Sequence, residues 1–367
     1  MTGNFFRWAP EAQISRAVKL WLVTGLMMIF LQIVIGGVTR LTGSGLSITR
    51  WEIVTGSIPP LGEAEWVAAF DLYKETPQYH KINQGMTIDQ FKFIFFWEYF
   101  HRLWARLMFF VFIVPFAWFL WRGMLSNDLK NWLLLVVMLA GLEGFFGWAM
   151  VASGLRERPW VNAYNLTLHL CMGLIIFSCL LWTTFIAFKP HPQGWRIQGV
   201  KRNAWVIFGV AFFQIALGAM MSGIKAGLFY PTWPDMHGAY LPAVLFDPNH
   251  WVMESFLQYD TNPFMPTLIQ FLHRNTAYVL TLIVLWFSWR ALRQKMLPQN
   301  KKILWGLLIM LGVQVLLGIL TLIHCVGAIP VTLGVLHQAG AVLLLSVILW
   351  LCYTTTARAS TKPFSNH

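Results

Sequence analysis

Charged side chains are scarce in this chain. Asp, Glu, Lys and Arg make up 11% of its 367 residues while 57% are apolar, and a soluble globule of that size would need far more charge to cover its surface. Acids are scarcer still, 15 against 27 Lys and Arg, for a net charge of +12. Cysteine is limited to Cys171, Cys179, Cys325 and Cys352. Three of these lie in apolar runs and none forms a CxxC pair, which excludes a disulfide framework and a thiolate zinc site and leaves small buried apolar residues. Met1 to Pro10 lacks a cleavable signal pattern and does not resemble a long Arg/Ser-rich transit peptide. A bacterial inner membrane is therefore expected rather than a mitochondrial one.

What the chain has instead is apolar runs of bilayer length, at 17–38, 91–120, 131–151, 163–188, 203–223, 266–289, 303–324 and 331–354. They predict an all-α polytopic membrane protein with eight transmembrane helices. Two connections on one side are long, Thr39 to Gln90 and Ile224 to Met265, and their Gly, Pro, Trp and acid content predicts ordered caps, being too aromatic for disorder. Sixteen Lys and Arg fall on the other side (Arg7, Lys19, Arg122, Lys189, Arg196, Arg290, Arg358 and Lys362 among them), accompanied only by Glu11 and Asp128. That asymmetry places both termini in the cytoplasm and accounts for the positive charge without nucleic acid as a partner.

An internal repeat is legible. Gln32-Ile-Val-Ile-Gly36-Gly37 matches Gln214-Ile-Ala-Leu-Gly218-Ala219 at an offset of 182 (214 − 32), which also pairs Gly45 with Gly227, Trp51 with Trp233, Gly56 with Gly238 and Pro60 with Pro242. His101-Arg102 pairs with His273-Arg274 at 172 (273 − 101), Gly147 with Gly318 at 171 and His169 with His337 at 168. The chain reads as two tandem four-helix units, 1–199 and 200–367, related by a pseudo-twofold axis along the membrane normal because four crossings restore the direction of entry. The odd-numbered segments share a polar residue four before a glycine: Gln32/Gly36, Glu143/Gly147, Gln214/Gly218 and Gln314/Gly318. Close helix packing with an interhelical hydrogen bond is the preferred meaning, ahead of direct ligand contact.

Each even-numbered segment carries one histidine, roughly six to ten residues from its outer end: His101, His169, His273 and His337. A single membrane histidine is usually a helix-to-helix hydrogen bond. Four at similar depth, in register across a repeat, point to pairs facing across each bundle, as cofactor sites in bundles are built. Imidazole suits iron, and two axial histidines hold a porphyrin between helices. Zinc is the weaker alternative because no third ligand is supplied. Glu98, one turn before His101, has Gln270 as its counterpart (98 + 172), so one unit has a titratable group beside its histidines and the other an amide. Its plainer role is an i, i+4 pair with Arg102. Arg40, Arg102, Arg106 and Arg274 either meet porphyrin propionates or snorkel to the interface, and the residues alone leave both open.

Glu98-Tyr-Phe-His101-Arg102, the three further histidines, the duplicated unit and Gly36-Gly37-Val-Thr39-Arg40-Leu-Thr-Gly43-Ser-Gly45-Leu-Ser closely resemble the haem A synthase family over nearly the whole chain. The resemblance implies oxidation of the haem O C8 methyl to the formyl of haem A for cytochrome c oxidase. It implies a haem b held by His273 and His337, a substrate haem held by His101 and His169, and an essential Glu98. A haem O synthase is the implied supplier of substrate. The outer loops before the second and sixth segments lack the cysteine pairs some members carry, which is similar to a cysteine-less class. Two rivals share the histidines: a di-haem b-type electron-transfer protein, which gives Glu98 no task, and a haem carrier. The uniformly apolar outer faces suit lipid and also permit a homo-oligomer.

Overall fold

The computed structural model describes residues 14–49, 58–154, 159–188, 195 and 197–356. The repeat positions Trp51 and Gly56, the basic residues Arg7, Lys189, Arg196, Arg358 and Lys362, and His191 and His367 lie outside them. Among the described residues, eight helices are long and apolar enough to cross a membrane: α1 (Arg16–Leu41), α2 (Ile88–Trp121), α3 (Asn127–Gly154), α4 (Ala163–Phe188), α5 (Val200–Gly223), α6 (Phe264–Leu292), α7 (Pro298–Ile323) and α8 (Val331–Thr354). The protein is an all-helical, multi-pass membrane protein. Most helices overrun the apolar runs because capping residues lie in the polar flanks. Ser15 accepts from the Val18 amide at the start of α1, Thr87 and Gln90 close a capping box on α2, and Pro298 occupies the first turn of α7.

Within each set of four, α1 packs on α2 and α4, α3 on α4, α5 on α6 and α8, and α7 on α8. These contacts are consistent with a tandem of four-helix units. The sets meet where α4 and α8 touch α5, α1 and each other, so α1, α4, α5 and α8 form the centre. Its main core includes Leu22, Leu180, Ile207 and Leu345, all fully buried. The outer helices turn large apolar side chains outward, among them Phe109, Phe110, Met138, Leu282 and Ile309; in a bilayer these meet lipid. One difference separates the halves. α6 packs against α7, whereas among the described residues their counterparts α2 and α3 make no comparable contact.

The described parts of the two long loops contain short helices at Glu63–Lys74, Pro77–Lys81 and Met253–Leu257, in keeping with the expected caps. The first cap closes over Phe70, Tyr73, Phe91, Ile94 and Phe95. Tyr73 is fully buried; its hydroxyl donates to Gln78 Oε1 at 3.0 Å and accepts from Asn83 Nδ2 at 2.7 Å. Burial pushes its pKa up to about 12 from a usual 10.0. With the folded value raised, the contribution of Tyr73 to stability is complete below about pH 10 and is lost as pH rises through about 12. Alkaline titration followed by tyrosinate absorbance should show a component in that window that is missing from Tyr73→Phe.

Candidate functional site

The structure supplies the partner for each polar residue that precedes a glycine by four. Gln32 Nε2 lies 2.9 Å from His101 Nε2 and donates to the His101 carbonyl at 3.3 Å. Gln214 Nε2 does the same to His273, at 3.3 Å from the ring and 2.9 Å from the carbonyl, and Gln314 Nε2 to His337, at 3.1 and 2.9 Å. Glu143 Oε1 stands 3.1 Å from His169 Nδ1. The glycine one turn later makes room for the same ring. A methyl at Gly36, Gly147, Gly218 or Gly318 would lie 3.2, 3.1, 3.1 or 2.9 Å from a histidine ring atom. Interhelical hydrogen bonding with close packing is thus the meaning of the motif at the three glutamines, Glu143 stands beside His169 without a hydrogen bond to its Nδ1, and what is packed in each case is a histidine. Each imidazole has beside it a polar side chain of the neighbouring odd-numbered helix, an amide in three cases and a carboxylate in the fourth.

The second pair faces itself. The rings of His273 and His337 have centroids 6.5 Å apart and planes at 81°. Metal–imidazole bonds of about 2.0 Å, with the distance from each nitrogen to its ring centre, call for roughly 6 Å, which is comparable with the separation of these rings. The buried Nδ1 of His273 has no hydrogen-bond partner in the structure. In the first pair His101 and His169 are close enough to interact electrostatically. Among the described residues no three His, Cys, Asp or Glu side chains gather as a bare metal ion would need; the donor set is two imidazoles per half, which suits an iron that brings its own four equatorial ligands. His101 is thirteen residues into α2 (101 − 88), deeper than the sequence spacing implied, because the first turn of α2 belongs to the cap.

Glu98 is only 2% exposed. Its Oε1 pairs with Arg102 Nη2, and its Oε2 accepts from Ser47 Oγ at 2.7 Å and from the Ile48 amide at 2.8 Å. The i, i+4 pair therefore exists, but it is half of a larger arrangement. Gly43, at φ 71°, ends α1 with Ser44 N–H bonded back to the Thr39 carbonyl, and that turn lays Ser44 to Ile48 across α2. The segment Gly43-Ser-Gly45-Leu-Ser47-Ile48 thereby delivers two donors to one carboxylate oxygen. In the second half Gln270, fully buried, donates to the Tyr230 carbonyl at 2.7 Å, and Arg274 donates to the carbonyls of Tyr230 at 2.9 Å and Asp235 at 2.6 Å. Arg102 reaches the Ile48 carbonyl at 3.5 Å. Ile48 and Tyr230 are 182 apart (230 − 48), the repeat offset, so the same arginine grips the same loop position twice.

A second asymmetry follows from the geometry. Glu143 has Gln314 as counterpart (143 + 171), so the first half presents two carboxylates, Glu98 and Glu143, where the second presents the amides of Gln270 and Gln314. Glu143 Oε2 is buried without a hydrogen-bond partner. Arg40 donates to the Ser222 and Gly223 carbonyls at the end of α5, at 2.8 and 3.0 Å, while its buried Nε has no hydrogen-bond partner. Burial, and then the charge of Arg40, pull the nearby Lys225 ammonium below the usual lysine value, as two cations at one mouth would. Arg106 lies half-buried on α2. The remaining described histidines stand apart: His80, His237 and His324 are exposed, and His250 stacks on Phe264. All four cysteines are free. Sequence reasoning missed Ser47, Ile48 and Tyr230 as partners, although the repeat offset relates the last two.

Comparison with known proteins is consistent along the chain. The COX15-CtaA family model, described as cytochrome oxidase assembly protein, matches residues 19–349. A Heme A synthase of Bradyrhizobium sp. (strain ORS 278) is 40% identical over 92% of this chain and 91% of its own length. Another from Bradyrhizobium sp. (strain BTAi1 / ATCC BAA-1182) is 41% identical over 92% and 91%. One from Nitrosomonas eutropha (strain DSM 101675 / C91 / Nm57) is 38% identical over 91% and 92%. The chain belongs to the COX15-CtaA family of cytochrome oxidase assembly proteins.

Proposed function

We propose that this chain oxidises the C8 methyl of haem O to the formyl of haem A, with the substrate haem in the unit 1–199 and a haem b in the unit 200–367. The observation that carries this is the pair of carboxylates in the first half where a repeated scaffold places amides in the second. A resident haem needs axial ligands and no proton traffic; His273 and His337 supply them. The sparse contact between α2 and α3 suits an occupant that enters and leaves, and the closer α6–α7 contact suits one that stays.

Bound haem would supply the redox chemistry, and the protein supplies position and electrostatics. His101 and His169 hold the substrate iron, His169 with Glu143 behind it. Glu98, one turn from His101, is the acid–base group at the substrate edge, and Ser47, Ile48 and Arg102 fix its orientation. Arg40 stands at the end of α1, and Arg102 and Arg274 each follow a histidine by one residue inside α2 and α6; these are the cations nearest to where propionates would need them. Haem sites towards the outer face, cytoplasmic termini and a bacterial inner membrane follow from the charge asymmetry and the bacterial relatives. A haem O synthase supplies the substrate, the lipid-facing helix sides accommodate its isoprenoid tail, and self-association through those sides is compatible with the fold.

The test is turnover. Purified protein given haem O, oxygen and a reductant should yield haem A in the same preparation. A carrier or an electron-transfer protein would return the haem O unchanged.

A further inference from the structure

Among the described residues, a polar contact joins the two halves at the α1–α8 seam. Gln338, the residue after His337, donates from Nε2 to the Ile33 carbonyl of α1 at 2.7 Å. Its carboxamide lies flat on Gly37, where a methyl would come within 2.7 Å of Oε1 and 3.0 Å of Cδ. Ile33 follows Gln32, the residue that holds His101. An unbroken path of peptide and hydrogen bonds therefore runs from His337 through Gln338, Ile33 and Gln32 to His101.

Packing alone does not call for this. The pseudo-symmetric seam, α4 against α5, places Leu170 (338 − 168) and Ala219 (37 + 182) at the equivalent positions, and it packs closely through Gly223 against Ala163. Both of those positions are apolar, so the glutamine–glycine combination is peculiar to the seam that links His337 to His101. An amide in the apolar centre needs a partner, and the spare lone pair of a helical carbonyl is an available one. The bond thus fixes α1 against α8 in a single register, and with it the residue that grips His101.

We propose that Gln338 is a positioning residue that couples the two histidine pairs, so that the first-half site depends on a side chain of the second half. This rests on the reading that both pairs hold haem. Three variants cut the bond by different chemistry: Gln338→Met removes the donor at similar volume, Gln338→Leu removes the carboxamide with a branched side chain, and Gly37→Ala displaces the side-chain end without touching the backbone. The purified protein should show two low-spin electron paramagnetic resonance signals, assigned by the loss of one in His101→Ala and of the other in His337→Ala. In all three bond-cutting variants the first-half signal should shift or broaden, and that haem should dissociate about fivefold faster, the size expected for losing one buried hydrogen bond. The second-half signal should persist and report an intact fold. A first-half signal and haem release indifferent to all three would overturn the coupling, as would loss of both signals together, which would make the bond a general folding contact. Wild-type protein without haem would instead overturn the underlying reading.

Discussion

Glu98→Gln abolishes conversion of haem O while two haems remain bound. A positioned acid–base group contributes about 10²–10⁴-fold, and a loss of that order is expected in a single-turnover assay read by chromatography of extracted haem. The surroundings explain why so small a change should act so strongly. Both carboxylate oxygens accept from donors: Arg102 on one, Ser47 and the Ile48 amide on the other. Glutamine turns one of those oxygens into a donor and sets it against another donor, so whichever way the amide lies one contact is lost. Arg102, itself largely buried, would also lose its counter-charge, and breaking a buried pair from one side costs about 3–5 kcal/mol. Ser47→Ala separates the two effects. It removes one neutral donor and keeps the charge, so it should lower stability by about 1–3 kcal/mol and leave conversion measurable. Haem A formation by Glu98→Gln at the wild-type rate would remove Glu98 from the chemistry.

The second large effect belongs to the other half. Replacing His337 with alanine should lower haem content from two per chain to one, the remaining haem being the first-half one. A 6.5 Å ring separation leaves the iron a single protein ligand once either imidazole is gone, and the alanine methyl does not reach across. Gly318→Ala should mimic this in part, because its methyl would stand 2.9 Å from the His337 ring and push the ring off its axis. Absorbance of the pyridine haemochrome, normalised to protein, distinguishes these outcomes: unchanged stoichiometry in His337→Ala would contradict the assignment.

Much of this arrangement could be read from the chain because bilayers impose length and repeats impose register. The eight apolar runs became α1 to α8, with errors confined to polar flanks such as Ile88 to Gln90, where a capping box rather than hydropathy sets the boundary. The four histidines and the Glu98–Gln270 difference were visible for the same reason: a polar residue inside an apolar run stands out, and a repeat supplies its control. Contacts between loop and helix were less legible. Nothing in the spacing of Ser47 and Glu98 says that they touch; that depends on the left-handed turn at Gly43. The partners of Gln32, Gln214 and Gln314 were also hidden, since a helix face tells which residues look outward but not which neighbour they meet. Gln338 was silent for a further reason, having a leucine at its repeat position and so no echo to mark it.

Extraction and identification of the haem in wild-type protein, purified with and without added haem O, decides whether each half holds a porphyrin and only one of them exchanges. Two haems per chain are expected, one always b-type and the other O- or A-type in proportion to supply. A single haem per chain, or two of b-type whatever is supplied, would contradict this division of the molecule.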